Sequence, residues 1–96
     1  MKVFAIGSVR QPFTPEQRQE IMPKEVPHTL QLYLDGVIDQ FWFREGIGPV
    51  FLMNVASVEE AKATVAEMPL VAADLATYEF WPVGPLAPLR LLIPAK

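Results

Sequence analysis

The chain is predicted to adopt an α+β fold, with four strands and two helices in the order β-α-β-β-α-β. Three observations lead there. Residues 37–55 (VIDQFWFREGIGPVFLMNV) hold two runs rich in aromatic and β-branched residues around Glu45-Gly46-Ile47-Gly48-Pro49, the pattern of a β-hairpin. Helix-start sequences stand on either side of it, at Thr14 and Ser57. Strand-length apolar runs open and close the order, at 2–9 and 75–83. Two helices on one face of a four-stranded antiparallel sheet make the split βαβ, or ferredoxin-like, motif.

Residues 2–9 are apolar almost throughout, as expected of a central strand buried on both faces. Residues 10–13 form a loop. Thr14 can cap free helix amides, Pro15 suits the first helical position and Gln17 completes a capping box. Pro23 and Pro27 each remove a helix hydrogen bond and crowd the carbonyl four residues back. The first helix is therefore predicted to be broken there. It would run from about 15 to 22, pause, and continue to 35, with Gly36 as the residue after the cap. In the second piece Leu30 and Leu34 share one side, with Tyr33 adjacent.

Alternate strand residues point to opposite faces. In the hairpin, Val37, Asp39, Phe41 and Phe43 would face one way, and Ile38, Gln40, Trp42 and Arg44 the other. Val50 and Leu52 oppose Phe51 and Met53 in the same manner. Both faces are thus largely apolar, whereas a sheet wet on one side alternates cleanly. Burying a Phe, Leu or Met is worth roughly 1.5–3 kcal/mol. About half a dozen of them left in water would forgo ~10 kcal/mol, comparable to a domain's whole net stability. The sheet is expected to be covered twice, by its own helices and by a second copy in a symmetric dimer.

Ser57 opens a second capping box with Glu60, and Glu59 and Glu60 suit the positive end of the helix dipole. Val58, Ala61, Val65 and Met68 fall on one face of a helix over 58–68, which Pro69 ends. Residues 70–74 connect to the last strand, where Pro82 marks a strand end at a sheet edge. The segment 85–94 (PLAPLRLLIP) is proline-rich yet strongly apolar, unlike a disordered tail. The expectation is one domain over 1–84, followed by a C-terminal arm, 85–96, that packs on its own domain or on a partner subunit.

A 96-residue chain makes one domain, and a hydrophobic share of 51% is high for a small monomer, which again favours a homo-oligomer. A net charge of −3 argues against a nucleic-acid partner. RNA-binding domains share the element order, but residues 50–55 lack their basic aromatic motif. No apolar run approaches the ~20 residues of a membrane span, and the opening residues do not read as a signal peptide. With no cysteine, a reducing, cytoplasmic setting is expected, without disulfides or thiolate-bound metal. One histidine and scattered carboxylates do not compose a metal site. No phosphate-binding glycine loop or nucleophile elbow is present.

With the elements placed, residues 54–70 (NVASVEEAKATVAEMPL) resemble the muconolactone isomerase family of the dimeric α+β barrel superfamily. The family's strand, its V-x-S-V-E helix start and its Leu-Pro-Leu turn correspond to Val55 to Glu59 and to Met68-Pro69-Leu70. A helix ending in residues 32–36 and a Trp-bearing second strand extend the likeness. The resemblance implies isomerisation of an unsaturated lactone acid without metal or cofactor. Such a reaction needs a base, a reprotonating acid and a holder for the enolate charge. Glu25 matches the family's first-helix Glu. The family's Trp-Arg pair is altered, since Phe43 intervenes between Trp42 and Arg44, and its final His is replaced by the Pro/Leu arm.

His28, the lone histidine, is the candidate proton carrier, with Glu25 three residues earlier as its orienter. The competing readings are a packing histidine and a solvated helix charge. Arg44 is a candidate anion anchor, or else a surface partner of Glu45. Trp42 and Trp81 would wall an apolar pocket between the sheet and the first helix, with Tyr33 and Leu70 completing it. Glu79 and Tyr78 have weaker claims. The expected ligand is a small apolar acid or lactone. Alternatives are a non-catalytic small-molecule binding or assembly module, a cofactor-free monooxygenase, and a haem-degrading barrel with His28 as axial ligand.

Overall fold

In a computed structural model of the chain, which describes residues 1–10 and 14–84, the order is β1 (Lys2–Val9), α1 (Pro15–Leu34), β2 (Ile38–Arg44), β3 (Gly48–Asn54), α2 (Val58–Ala66), α3 (Pro69–Ala72) and β4 (Ala76–Val83). The strands form one antiparallel sheet in the order β2-β3-β1-β4. This is the ferredoxin-like α+β arrangement, with β1 in the middle and β4 at an edge. The expected arm, 85–96, and most of the expected 10–13 loop lie outside the described residues.

Local chemistry sets most boundaries. The Thr14 side chain accepts from the Gln17 amide while the Gln17 side chain accepts from the Thr14 amide, a closed capping box. At the other end of α1 the Gly36 amide donates to the Tyr33 carbonyl and the Val37 amide to the Leu32 carbonyl. This Schellman pair requires the φ of +80° that Gly36 supplies. Ser57 accepts from the Glu60 amide, but the Glu60 carboxylate reaches one residue beyond a standard box, to the Ala56 amide. The stretch expected to be a plain connector begins as a helical turn: Pro69 ends α2 and takes the first position of α3.

Two expectations are corrected. The first helix is not divided at Pro23 and Pro27 but runs through both. The prolines are four residues apart on the exposed side of α1, so the carbonyls they leave without a helix donor can be hydrated. The second correction is in β2. Ile38 pairs with Met53 and Gln40 with Leu52, so Asp39 is an extra, bulged residue. The bulge turns Ile38 to the same face as Phe41 and Phe43, and Asp39 pairs with Lys2 at 3.1 Å.

Rows of paired residues then cross the sheet. Pro82, Val3, Met53 and Ile38 form one row on the helix-covered face, and Phe80, Ala5, Phe51 and Phe41 the next. Val3, Ala5, Ile38, Phe51 and Met53 pack with Ala61, Val65 and Met68 into the main core. The opposite face carries Trp81, Phe4, Leu52 and Gln40 in one row and Glu79, Ile6, Val50 and Trp42 in the next. No helix covers it among the described residues. Trp42 and Trp81 are 48% and 59% exposed there, so the second face is as apolar as the sequence implied.

Gly48 fixes how β3 meets β1. Its φ is +153°, and a Cβ at this position would lie 2.7 Å from the Gly7 carbonyl oxygen. Arg44, opposite Gly48, uses the space to donate to that same carbonyl at 2.9 Å. A Gly48→Ala substitution combines a backbone clash with a disfavoured φ. It should cost about 2–4 kcal/mol in urea unfolding, with an unchanged midpoint refuting the tight crossing.

Candidate functional site

The hairpin and the first helix border a half-open cavity of about 810 Å³ on the helix-covered face. That size falls within the roughly 300–1,000 Å³ of small-molecule sites. Phe41, Phe43, Pro49 and Phe51 form the sheet wall, and Ile47 closes the turn side. Because α1 is continuous, Arg18, Met22, Glu25, Val26, Thr29 and Leu30 follow its 3.6-residue period and line the other wall. Leu70, in the first turn of α3, closes the inner end.

Glu25 is the chemically distinctive group. It is the buried charged side chain of the described residues, 6% exposed. Its Oε1 accepts from the Leu70 amide at 3.0 Å, one of the amides left free at the start of α3. Burial pushes its carboxyl above the ordinary value near 4.5, outweighing the Leu70 hydrogen bond, the charge of His28 and a hydrogen bond from Thr29, all of which pull it down. Tyr78 lies close enough that burial, aided by the Glu25 charge, drives its phenol well above the usual range; it stays protonated. A buried carboxyl on an apolar wall, its pKa raised by that burial, is suited to accept or donate a proton.

The other predicted site residues separate. His28 acts on Glu25 electrostatically, but it is half-buried on the inner flank of α1 and is not among the residues lining the cavity. Leu70 lines it. Tyr33 packs against Phe41 with the rings tilted and their centroids 5.0 Å apart, and is not among the lining residues. Trp42 touches the cavity edge, but its ring sits by Phe4 at 6.2 Å on the other sheet face. Trp81 shares that outer face, where its indole nitrogen lies 3.4 Å from Glu79 Oε2. Arg44 reaches the Gly7 carbonyl and is not among the lining residues; the cation on the cavity wall is Arg18. Sequence analysis does not single out Arg18, because a helix broken at Pro23 separates it from Glu25 and Thr29. The signal was present as its period with Met22, Glu25 and Thr29. Among the described residues no cluster of three or more His, Cys, Asp or Glu could hold a metal, and no helix is long and apolar enough to cross a membrane.

The raised Glu25 carboxyl carries a signed pH prediction. The folded state holds this proton more tightly than the unfolded chain. The corresponding stability is complete below about pH 4.5 and is lost as pH rises through the folded-state pKa. Gln at this position keeps an acceptor for the Leu70 amide and carries no charge. The thermal midpoint of Glu25→Gln minus that of the wild type should therefore grow from pH 4 to pH 8. A difference flat with pH would contradict the burial.

No family model and no curated protein sequence matches the chain. Among solved structures it is similar to 5-chloro-2-hydroxyhydroquinone dehydrochlorinase (TftG) from Burkholderia phenoliruptrix AC1100, in complex with 2,5-dihydroxybenzoquinone. The TM-score is 0.68 at 16% sequence identity, over 85% of this chain and 93% of that chain. The likeness is one of fold.

Proposed function

We propose that the chain is a cofactor-independent enzyme that moves a proton on a small unsaturated acid or lactone, as the muconolactone-isomerase resemblance implies. The observation that carries this reading is Glu25, a buried carboxyl with a raised pKa on the wall of an apolar cavity. In its charged form Glu25 takes a proton from a carbon beside a carbonyl, breaking the C–H bond and leaving an enolate. The carboxylic acid so formed exchanges its proton with solvent and then protonates a second carbon. Both steps use one group, and no oxidant or reductant enters. His28 takes the supporting place: its charge beside Glu25 favours the carboxylate between turnovers.

The structural neighbour is named for a dehydrochlorination of a hydroxylated, unsaturated ring, which is compatible with small-molecule chemistry in this fold. A second copy of the chain is proposed to cover the open face of the sheet.

The test is a panel of unsaturated lactone acids and hydroxylated quinols incubated in D₂O and followed by mass spectrometry. Deuterium entering at one carbon, with the double bond shifted, is the expected result. A ligand retained in native mass spectra and released unlabelled would instead make the chain a binding module. Oxygen consumption would make it a monooxygenase.

A further inference from the structure

We infer that the cavity takes an uncharged, flat carbonyl compound of at least two fused rings, and that the Glu25 and Glu45 carboxyls on its walls turn away a ligand carboxylate. This deepens the proton-transfer reading by choosing the lactone or ketone over the acid. It rests on that reading only for which end of the ligand meets Glu25.

Two acidic residues line the cavity, Glu25 from α1 and Glu45 from the hairpin turn. Arg18, the cation among the described lining residues, is already engaged within the chain. A carboxylate entering between these walls loses water and gains like-charged neighbours. It would push the Glu25 carboxyl, already raised by burial, higher still. Glu25 would then keep its proton and could not act as a base. A carbonyl brings polarity to the Glu25 end without that cost. Phe41, Phe43 and Phe51 on the sheet wall suit a planar apolar body. Phe43 is 70% exposed, and Val26, Leu30, Phe41 and Ile47 are exposed with it. All five border the cavity. An apolar rim of this kind marks a ligand-binding groove, and a single ring seated beside Glu25 would leave it wet. The volume of about 810 Å³ lies in the upper part of the range for drug-sized ligands. A second fused ring extends the apolar contact toward the rim.

The experiment is equilibrium binding of three probes to the full chain at pH 8: coumarin-3-carboxamide, coumarin-3-carboxylate and 2-pyrone-3-carboxamide. It is read from the Leu70 amide resonance, because that amide donates to Glu25. The first two probes differ in charge at nearly equal shape, and the first and third differ by one ring. Wild type should bind coumarin-3-carboxamide about tenfold or more tighter than the carboxylate. It should also bind it about fivefold or more tighter than the one-ring amide. Glu45 is exposed, so Glu45→Gln should keep the fold and narrow the charge preference in part. The double variant Glu25→Gln, Glu45→Gln should narrow it to about threefold or less and hold the neutral two-ring probe within about twofold. Equal or tighter binding of the carboxylate, or a preference unchanged in the double variant, would overturn the assignment. So would equal binding of one ring and two, or no shift at Leu70 with any probe. No turnover enters the assay. Its failure would leave proton transfer by Glu25 to be decided by deuterium exchange, and a catalytically silent Glu25 would leave the charge and ring preferences standing.

Discussion

Glu25→Gln is expected to lower the rate of deuterium exchange into substrate by about 10²–10⁴-fold, the usual contribution of a positioned acid–base group, while making the protein more stable at pH 8. Both effects come from one fact. The carboxylate is held in an apolar wall because the Leu70 amide, Thr29 and His28 support it, yet burial still dominates. The amide side chain keeps the Leu70 hydrogen bond and removes the charge that burial disfavours, so the fold gains as the chemistry is lost. A residue with a merely structural role would behave in the opposite way, losing stability without a selective loss of exchange. Retained exchange in this variant would dismiss Glu25 as the proton carrier. His28→Ala should have a smaller effect on rate, appearing mainly as a shift in the pH profile, because the imidazole acts on Glu25 from outside the cavity lining.

Leu52→Lys is expected to convert a dimer into a monomer at micromolar concentration. Leu52 lies in a row with Trp81 and Phe4 at the middle of the open face. Its neighbouring row carries Ile6, Val50 and Trp42. Several large apolar side chains, each worth roughly 1.5–3 kcal/mol when fully buried, supply a driving force that a central unpaired charge opposes. Lysine at this position is solvated in the separated chain, so far-ultraviolet circular dichroism should keep its native form. Sedimentation velocity reads the result. Wild type should run at twice the monomer mass or more, and Leu52→Lys at one. A monomeric wild type would remove the second copy from the open face.

How far the sequence reaches can be judged residue by residue. The caps at Thr14, Gly36 and Ser57 act over three to five residues, and their side-chain and glycine chemistry is visible in the chain itself. The central position of β1 and the edge position of β4 were legible for a similar reason. An all-apolar run and a strand-terminal proline each have few places in a sheet where their backbone and side chains are tolerated. The two mistaken local expectations both concern features whose cost depends on surroundings. A proline's missing hydrogen bond is tolerable when the freed carbonyl meets water, which is decided by where α1 lies on the sheet. The bulge at Asp39 is decided by the pairing of β2 with β3, and it changes which residues of β2 face the core.

The candidate site divides along the same line. Glu25 was recognisable as a candidate from the sequence. Its burial, its Leu70 partner forty-five residues away and its raised pKa come from packing. Arg44 and Arg18 cannot be ranked by residue type, since both are arginines near apolar runs. Only the assembled sheet directs one to the Gly7 carbonyl and sets the other on the cavity wall. By itself, then, the chain determined its element order, its helix ends and the double apolar character of its sheet, because those depend on interactions between near neighbours and on alternation. The tertiary structure alone decided which face each side chain joins and which carboxyl loses its water, because register, burial and electrostatics are set by residues distant in the chain.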